Sequence, residues 1–115
     1  MLQRALVLDE SFDHGALHEF ALILAAATPR KPDRAVIKRH YQRALELSKG
    51  NRASLYVAYA MAVPLRAQNR TAFHALIEKA LSVNADAVPD QRLQNAIAQR
   101  RARWLLGRTD ELFLN

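Results

Sequence analysis

The chain has 115 residues, one domain or a piece of one, and half of them are apolar, which suffices for a real core. It contains no cysteine, so a disulfide framework and any cysteine-based zinc or redox site are excluded. Seventeen Lys and Arg against eleven Asp and Glu give a formal charge of +6, dispersed from Arg4 to Arg108, and no apolar run approaches the ~20 residues of a membrane span.

Three glycines, four prolines and few β-branched residues, against abundant alanine and leucine, make the composition helical. The opening "MLQRALVLDE" lacks the basic-then-apolar layout of an export signal and carries no lipid-attachment cysteine. Residues 14 to 27 read as the first full helix, with Asp13 placed to cap it and "TPRKP" as the linker that ends it. A second helix runs from about Asp33 to Ser48. Ile37, Tyr41, Ala44 and Leu45 share one of its faces, and Gly50 follows its end. A third covers about 53 to 67, with Pro64 kinking or ending it. The fourth, about 71 to 83, places Phe73, Leu76, Ile77, Ala80 and Leu81 at unbroken helical spacing. The fifth starts after Pro89-Asp90 and runs to Gly107, and "TDELF" adds one more turn.

One segment recurs: "QRALVLDES" at 3–11, "QRALELSKG" at 42–50 and "EKALSVNAD" at 78–86. Their alanines Ala5, Ala44 and Ala80 stand 39 and 36 positions apart, near the ~34-residue period of tetratricopeptide-type hairpins. Leu2, Tyr41 and Ile77 each precede the alanine by three, a large-plus-small pair on one helical face. The expected fold is therefore all-α, a tetratricopeptide-like array of antiparallel helical hairpins forming one helical-repeat domain over 1–115. Because the array opens on the closing half of a hairpin, Leu2, Leu6 and Leu8 are expected to lack a covering helix, which predicts self-association or markedly low stability as a monomer.

The stretch "AQRRARWLL" at 98–106 holds three arginines and the single tryptophan. At 100° per residue, Leu93, Ile97 and Trp104 fall on one arc with Arg100 among them, and Arg101 lies between Ile97 and Leu105. If that face packs, Arg100 is buried and must be paired, with Glu19 and Glu78 as its expected partners. Arg100→Ala is then expected to destabilise far more than Arg103→Ala. The alternative is that both side chains snorkel over the edge of the core. Basic residues mixed into an apolar face, without aromatic interleaving or a recognisable module, argue against nucleic-acid binding.

Other candidate residues favour plain structural roles. His14 and His18 have the i, i+4 spacing of a helical metal pair, but no third ligand accompanies them, and no metal site is assigned. Tyr56, Tyr59 and Met61 form a stripe of the kind that usually lies in a core. The basic stretch from Arg30 to Arg52 reads as a solvated helix face. No glycine-rich phosphate loop, cysteine nucleophile or Ser-His-acid set is present, so the reading is non-enzymatic and needs no cofactor.

Four blocks carry a family resemblance: "ALVLDESFDHGALHEF" at 5–20, "YQRALELSKG" at 41–50, "AVPLRAQNRTAFHALIEKALSVNADAVP" at 62–89 and "RLQNAIAQRRARWLLGRTDELF" at 92–113. Together they resemble the carboxy-terminal part of the TRAP-transporter T-component (TatT) family. That resemblance implies an all-helical, tetratricopeptide-like, periplasmic protein, lipid-anchored in full-length relatives. It also implies a homo-oligomer, a trimer in the family, working as a non-enzymatic auxiliary of a tripartite ATP-independent periplasmic transporter. Its partner would be the periplasmic solute-binding component, and its ligand an apolar one, with fatty acids and other apolar anions first to be tried. A cavity of the family's kind is expected to be walled by Tyr56, Tyr59, Ile97 and Trp104, with Arg100 and Arg101 beside them, so that Trp104 emission would report binding. The alternatives are a free-standing helical-repeat scaffold for protein partners and, third, a small basic nucleic-acid binder.

Overall fold

The computed structural model of the chain describes residues 16–27 and 33–113, and these are helical without a strand among them. In chain order the helices are α1 (Ala16–Ala26), α2 (Arg34–Ser48), α3 (Ala53–Ala62), α4 (Arg70–Ser82), α5 (Arg92–Gly107) and α6 (Thr109–Leu112). A 3₁₀ turn at Pro89–Gln91 leads into α5. The first copy of the recurring segment, Leu2, Leu6, Leu8, Asp13, His14 and the "TPRKP" linker lie outside the described residues.

Local chemistry sets the boundaries. Asp33 caps α2 by accepting from the Ala35 and Val36 amides at 3.0 and 3.4 Å. The end of α2 passes through Lys49 and Gly50, both at positive φ (55° and 74°), and the Gly50 amide returns to the Leu45 carbonyl at 3.1 Å. Gly50 is required there twice over, because a Cβ would also stand 3.1 Å from the Tyr56 hydroxyl. Helix α3 stops at Ala62, two residues before Pro64, and a run of turns follows in place of the helix expected to 67. Asn69 then caps α4 through the Ala72 amide at 3.1 Å.

Helix α3, with the sequence ASLYVAYAMA, has no charged residue and no single apolar side, and the packing explains why. One flank, with Leu55 and Ala62, joins Leu22 and Ala26 of α1 and Ile37 and Ala44 of α2 in one core cluster. The other, with Tyr56, Val57 and Ala60, joins Phe73, Ile77 and Ala80 of α4, Ala98, Ala102 and Leu105 of α5, and Phe113 in a second. Helix α3 is thus the shared wall of two cores. The recurring alanines Ala44 and Ala80 are both fully buried, one in each cluster.

Helix α5 lies the other way round from the sequence expectation. Its inward residues are Asn95, Ala98, Ala102 and Leu105, while Leu93, Ile97 and Trp104 are 69, 60 and 57% exposed. Alanines at the contact let the helix backbone approach α3 and α4 closely, and Asn95 fixes the approach by hydrogen bonds. Large side chains on that face would hold the helices apart. Arg100, about 20° from Leu93 at the edge of the outward arc, is therefore exposed, and among the described residues it has no ion-pair partner.

Candidate functional site

The site begins where α3 begins. The cap position, Arg52, makes no side-chain hydrogen bond to the helix it precedes. Instead, Asn95 of α5 supplies a cap from outside. Its Oδ1 accepts the Ala53 amide at 2.8 Å and its Nδ2 donates to the Asn51 carbonyl at 2.9 Å, with the side chain almost fully buried. Arg52 is thereby free to reach α1. Its Nε donates to Glu19 Oε1 at 2.9 Å and its Nη1 to Gln91 Oε1 at 2.9 Å. The Ser54 hydroxyl donates to both Glu19 oxygens, at 2.9 and 3.1 Å. The Arg52 and Glu19 side chains are only 11 and 12% exposed, so this is an inward ion pair, hydrogen-bonded on several sides. It also places a carboxylate beside the first turn of α3, where the helix dipole favours negative charge.

From this pair a cleft of about 610 Å³ runs between α1, α3 and α5. Its walls are Ile23 and Ala26 of α1, Val57, Ala58 and Met61 of α3, and Ile97 of α5. Going from Ser54 to Met61 along α3, the apolar stretch measures about 10 Å at 1.5 Å per residue. Arg66 and Arg101 also line the cleft, towards the Met61 end, where Arg101 Nη2 lies 3.3 Å from Met61 Sδ. Both arginines are exposed, and neither has a carboxylate partner among the described residues. The cleft thus has a self-neutralised polar end, an apolar middle and a cationic mouth. Its size is that of a small-molecule site.

The expected site residues scatter. Ile97 and Arg101 reach the cleft, and the others do not. Tyr56 sits in the α3–α4–α5 core and donates its hydroxyl to the Gly50 carbonyl at 3.2 Å, fastening the α2–α3 turn. Tyr59 stacks on Tyr41 with ring centroids 4.1 Å apart and lines a separate pocket with Arg34 and Lys79. Burial raises the pKa values of these phenols, that of Tyr41 to about 12, so they are neutral donors. Trp104 is on the surface under the Arg108 guanidinium, 4.8 Å from its ring centre, and its emission is no reporter of the cleft. The pairing of Arg100 with Glu19 or Glu78 is not made. Glu19 is buried and paired, but its cation is Arg52, and Glu78 is exposed beside His74 and Asp110. The assignment of Arg52 to a solvated basic face fails for the same reason. His18, on α1, meets His40 of α2 with Nδ1 atoms 2.9 Å apart.

The sequence reading passed over Ser54 and Asn95, placed Arg52 on a solvated face and set Met61 in a core stripe with Tyr56 and Tyr59. The available signal was Asn95: an amide three residues before Ala98 and seven before Ala102, on the side of α5 away from Leu93, Ile97 and Trp104.

The TRAP transporter T-component model matches residues 1–113. The chain belongs to the TRAP transporter T-component family. A relative in Treponema pallidum (strain Nichols), described as an uncharacterized protein, is 27% identical over 117 aligned positions that include all of this chain and 36% of the relative. The chain therefore spans about a third of that relative's length. T components form an auxiliary transport family. In the cleft of this T-component chain, the Ser54 hydroxyl donates a hydrogen bond to a carboxylate that is already held by Arg52. No helix of the described residues is long and apolar enough to cross a membrane.

Proposed function

We propose that this chain works as the auxiliary T component of a tripartite ATP-independent periplasmic transporter, holding an apolar anion in the cleft between α1, α3 and α5 for exchange with the solute-binding component. The observation that carries this reading is the cleft's own polarity. An aliphatic tail is matched by Ile23, Val57, Ala58, Met61 and Ile97, and a carboxylate by Arg66 and Arg101 at the mouth. The Glu19–Arg52 pair leaves no net charge at the far end. Family membership supports the periplasmic location and the association with a solute-binding component. A tetratricopeptide-like arrangement in hairpins is supported by α1 packing on α2 and α3 on α4, with the recurring Ala44 and Ala80 at the two contacts.

Calorimetric titration with decanoate tests the reading. Ala58→Phe, which fills the apolar middle, is expected to abolish the binding heat. Arg101→Gln is expected to weaken binding about tenfold or more, the worth of a charged hydrogen bond. Equal affinities of the two variants and the parent would overturn the assignment. Retention of the solute-binding component by the immobilised chain tests the partner.

A further inference from the structure

We propose that the outward face of α5 docks on an anionic lipid surface. Leu93, Ile97 and Trp104 stand on one arc of this helix and are each more than half exposed. Their span along the axis is about 16 Å. At 100° per residue Arg100 falls about 20° beyond Leu93 at the edge of the arc, with Arg101 and Arg103 about 80° to either side of Leu93. An apolar stripe bordered on both flanks by guanidinium groups is the layout of a helix lying in a headgroup region, with aliphatic groups dipping below and cations meeting phosphates. Trp104 carries Arg108 over its ring, which puts an indole and a guanidinium at the same depth.

Charge selects the occupant. Helix α5 has four arginines and no acidic residue. Arg92 is paired with Asp86 and Arg108 with Glu111, whereas Arg100, Arg101 and Arg103 are exposed without a carboxylate partner among the described residues. A second copy meeting this face with its own would set arginine against arginine. Nucleic acid would answer the arginines and leave Leu93, Ile97 and Trp104 in water. A surface that is anionic above and hydrocarbon below answers both sets at once.

The face is independent of the ligand cleft at Leu93, Arg100, Arg103 and Trp104, and these four positions carry the test. The full chain is mixed with phosphatidylcholine vesicles, with and without phosphatidylglycerol, and partition is read by sedimentation and by the emission of the single tryptophan. The expected result is partition and a blue shift only with phosphatidylglycerol, both weakening as salt rises. The double change Arg100→Gln, Arg103→Gln is expected to lower the partition coefficient about thirtyfold, and Leu93→Ser with Trp104→Ser to abolish sedimentation with vesicles. All four side chains are exposed, so the variants are expected to melt like the parent. The proposal is overturned if the chain stays in the supernatant with anionic vesicles, or binds both vesicle types alike. Partition that persists in the Leu93→Ser, Trp104→Ser variant also overturns it. So does a Trp104 shift with polyglutamate that anionic vesicles do not produce, because the face then takes an acidic protein.

Discussion

Replacing Arg52 by alanine removes one half of the ion pair that closes the cleft and ties α1 to α3. The Glu19 carboxylate would remain with its side chain about nine-tenths covered, keeping only the Ser54 hydroxyl among the donors described above. Stranding one member of a buried pair typically costs ~3–5 kcal/mol. Gln91 loses its 2.9 Å donor as well, while Ser54 continues to solvate the carboxylate, so the lower half of that range is expected. The control is Arg43→Ala, whose partner Glu46 lies in solvent with 66% of its side chain exposed and where ~0–1 kcal/mol is expected. Arg100→Ala, at an exposed position, is expected to behave like the control. Urea melts of the three variants decide the matter, and the double variant Glu19→Gln, Arg52→Met is expected to recover most of the loss because no charge is then left buried. A difference below about 1 kcal/mol between Arg52→Ala and Arg43→Ala would refute the argument, since it would mean that Glu19 is hydrated.

Asn95→Ala is expected to destabilise by about 1–3 kcal/mol in the same melts, since it strands the Ala53 amide and the Asn51 carbonyl, whereas Gln94→Ala next to it is not. Stability is also expected to fall on acidification. Burial first, then the neighbouring His18 and Arg39, hold His40 below the ordinary histidine value, so the unfolded chain binds the proton more readily. The contribution is intact above about pH 6.5 and is lost as pH falls through the lowered value, and His40→Gln is expected to flatten the dependence of Tm on pH in this window.

Much of the helical layout was legible in the sequence because it rests on local signals. Asp33, Gly50, Pro64 and Pro89 mark boundaries that the structure keeps, with α2 beginning one residue after Asp33 and α3 cut at Ala62. The repeat alanines Ala44 and Ala80 were legible as contact points and are fully buried. Which side of α5 faces inward was not. Hydrophobic periodicity weighs a side chain by its size, so Leu93, Ile97 and Trp104 outvote Ala98 and Ala102. The packing is decided by how closely backbones approach, and there the alanines win. The Glu19–Arg52 pair was hidden for a different reason. Thirty-three positions separate its members, and nothing in the spacing of charges distinguishes an arginine that turns inward from the solvated ones around it.

The most direct test of the central claim locates the ligand. A fatty acid bearing a photoreactive diazirine on its chain is bound, irradiated and mapped by mass spectrometry of peptides. Adducts are expected on Ile23 and Met61, suppressed by excess decanoate and absent from Ala58→Phe. Labelling confined to Leu93 and Trp104, or labelling that decanoate does not suppress, would contradict it.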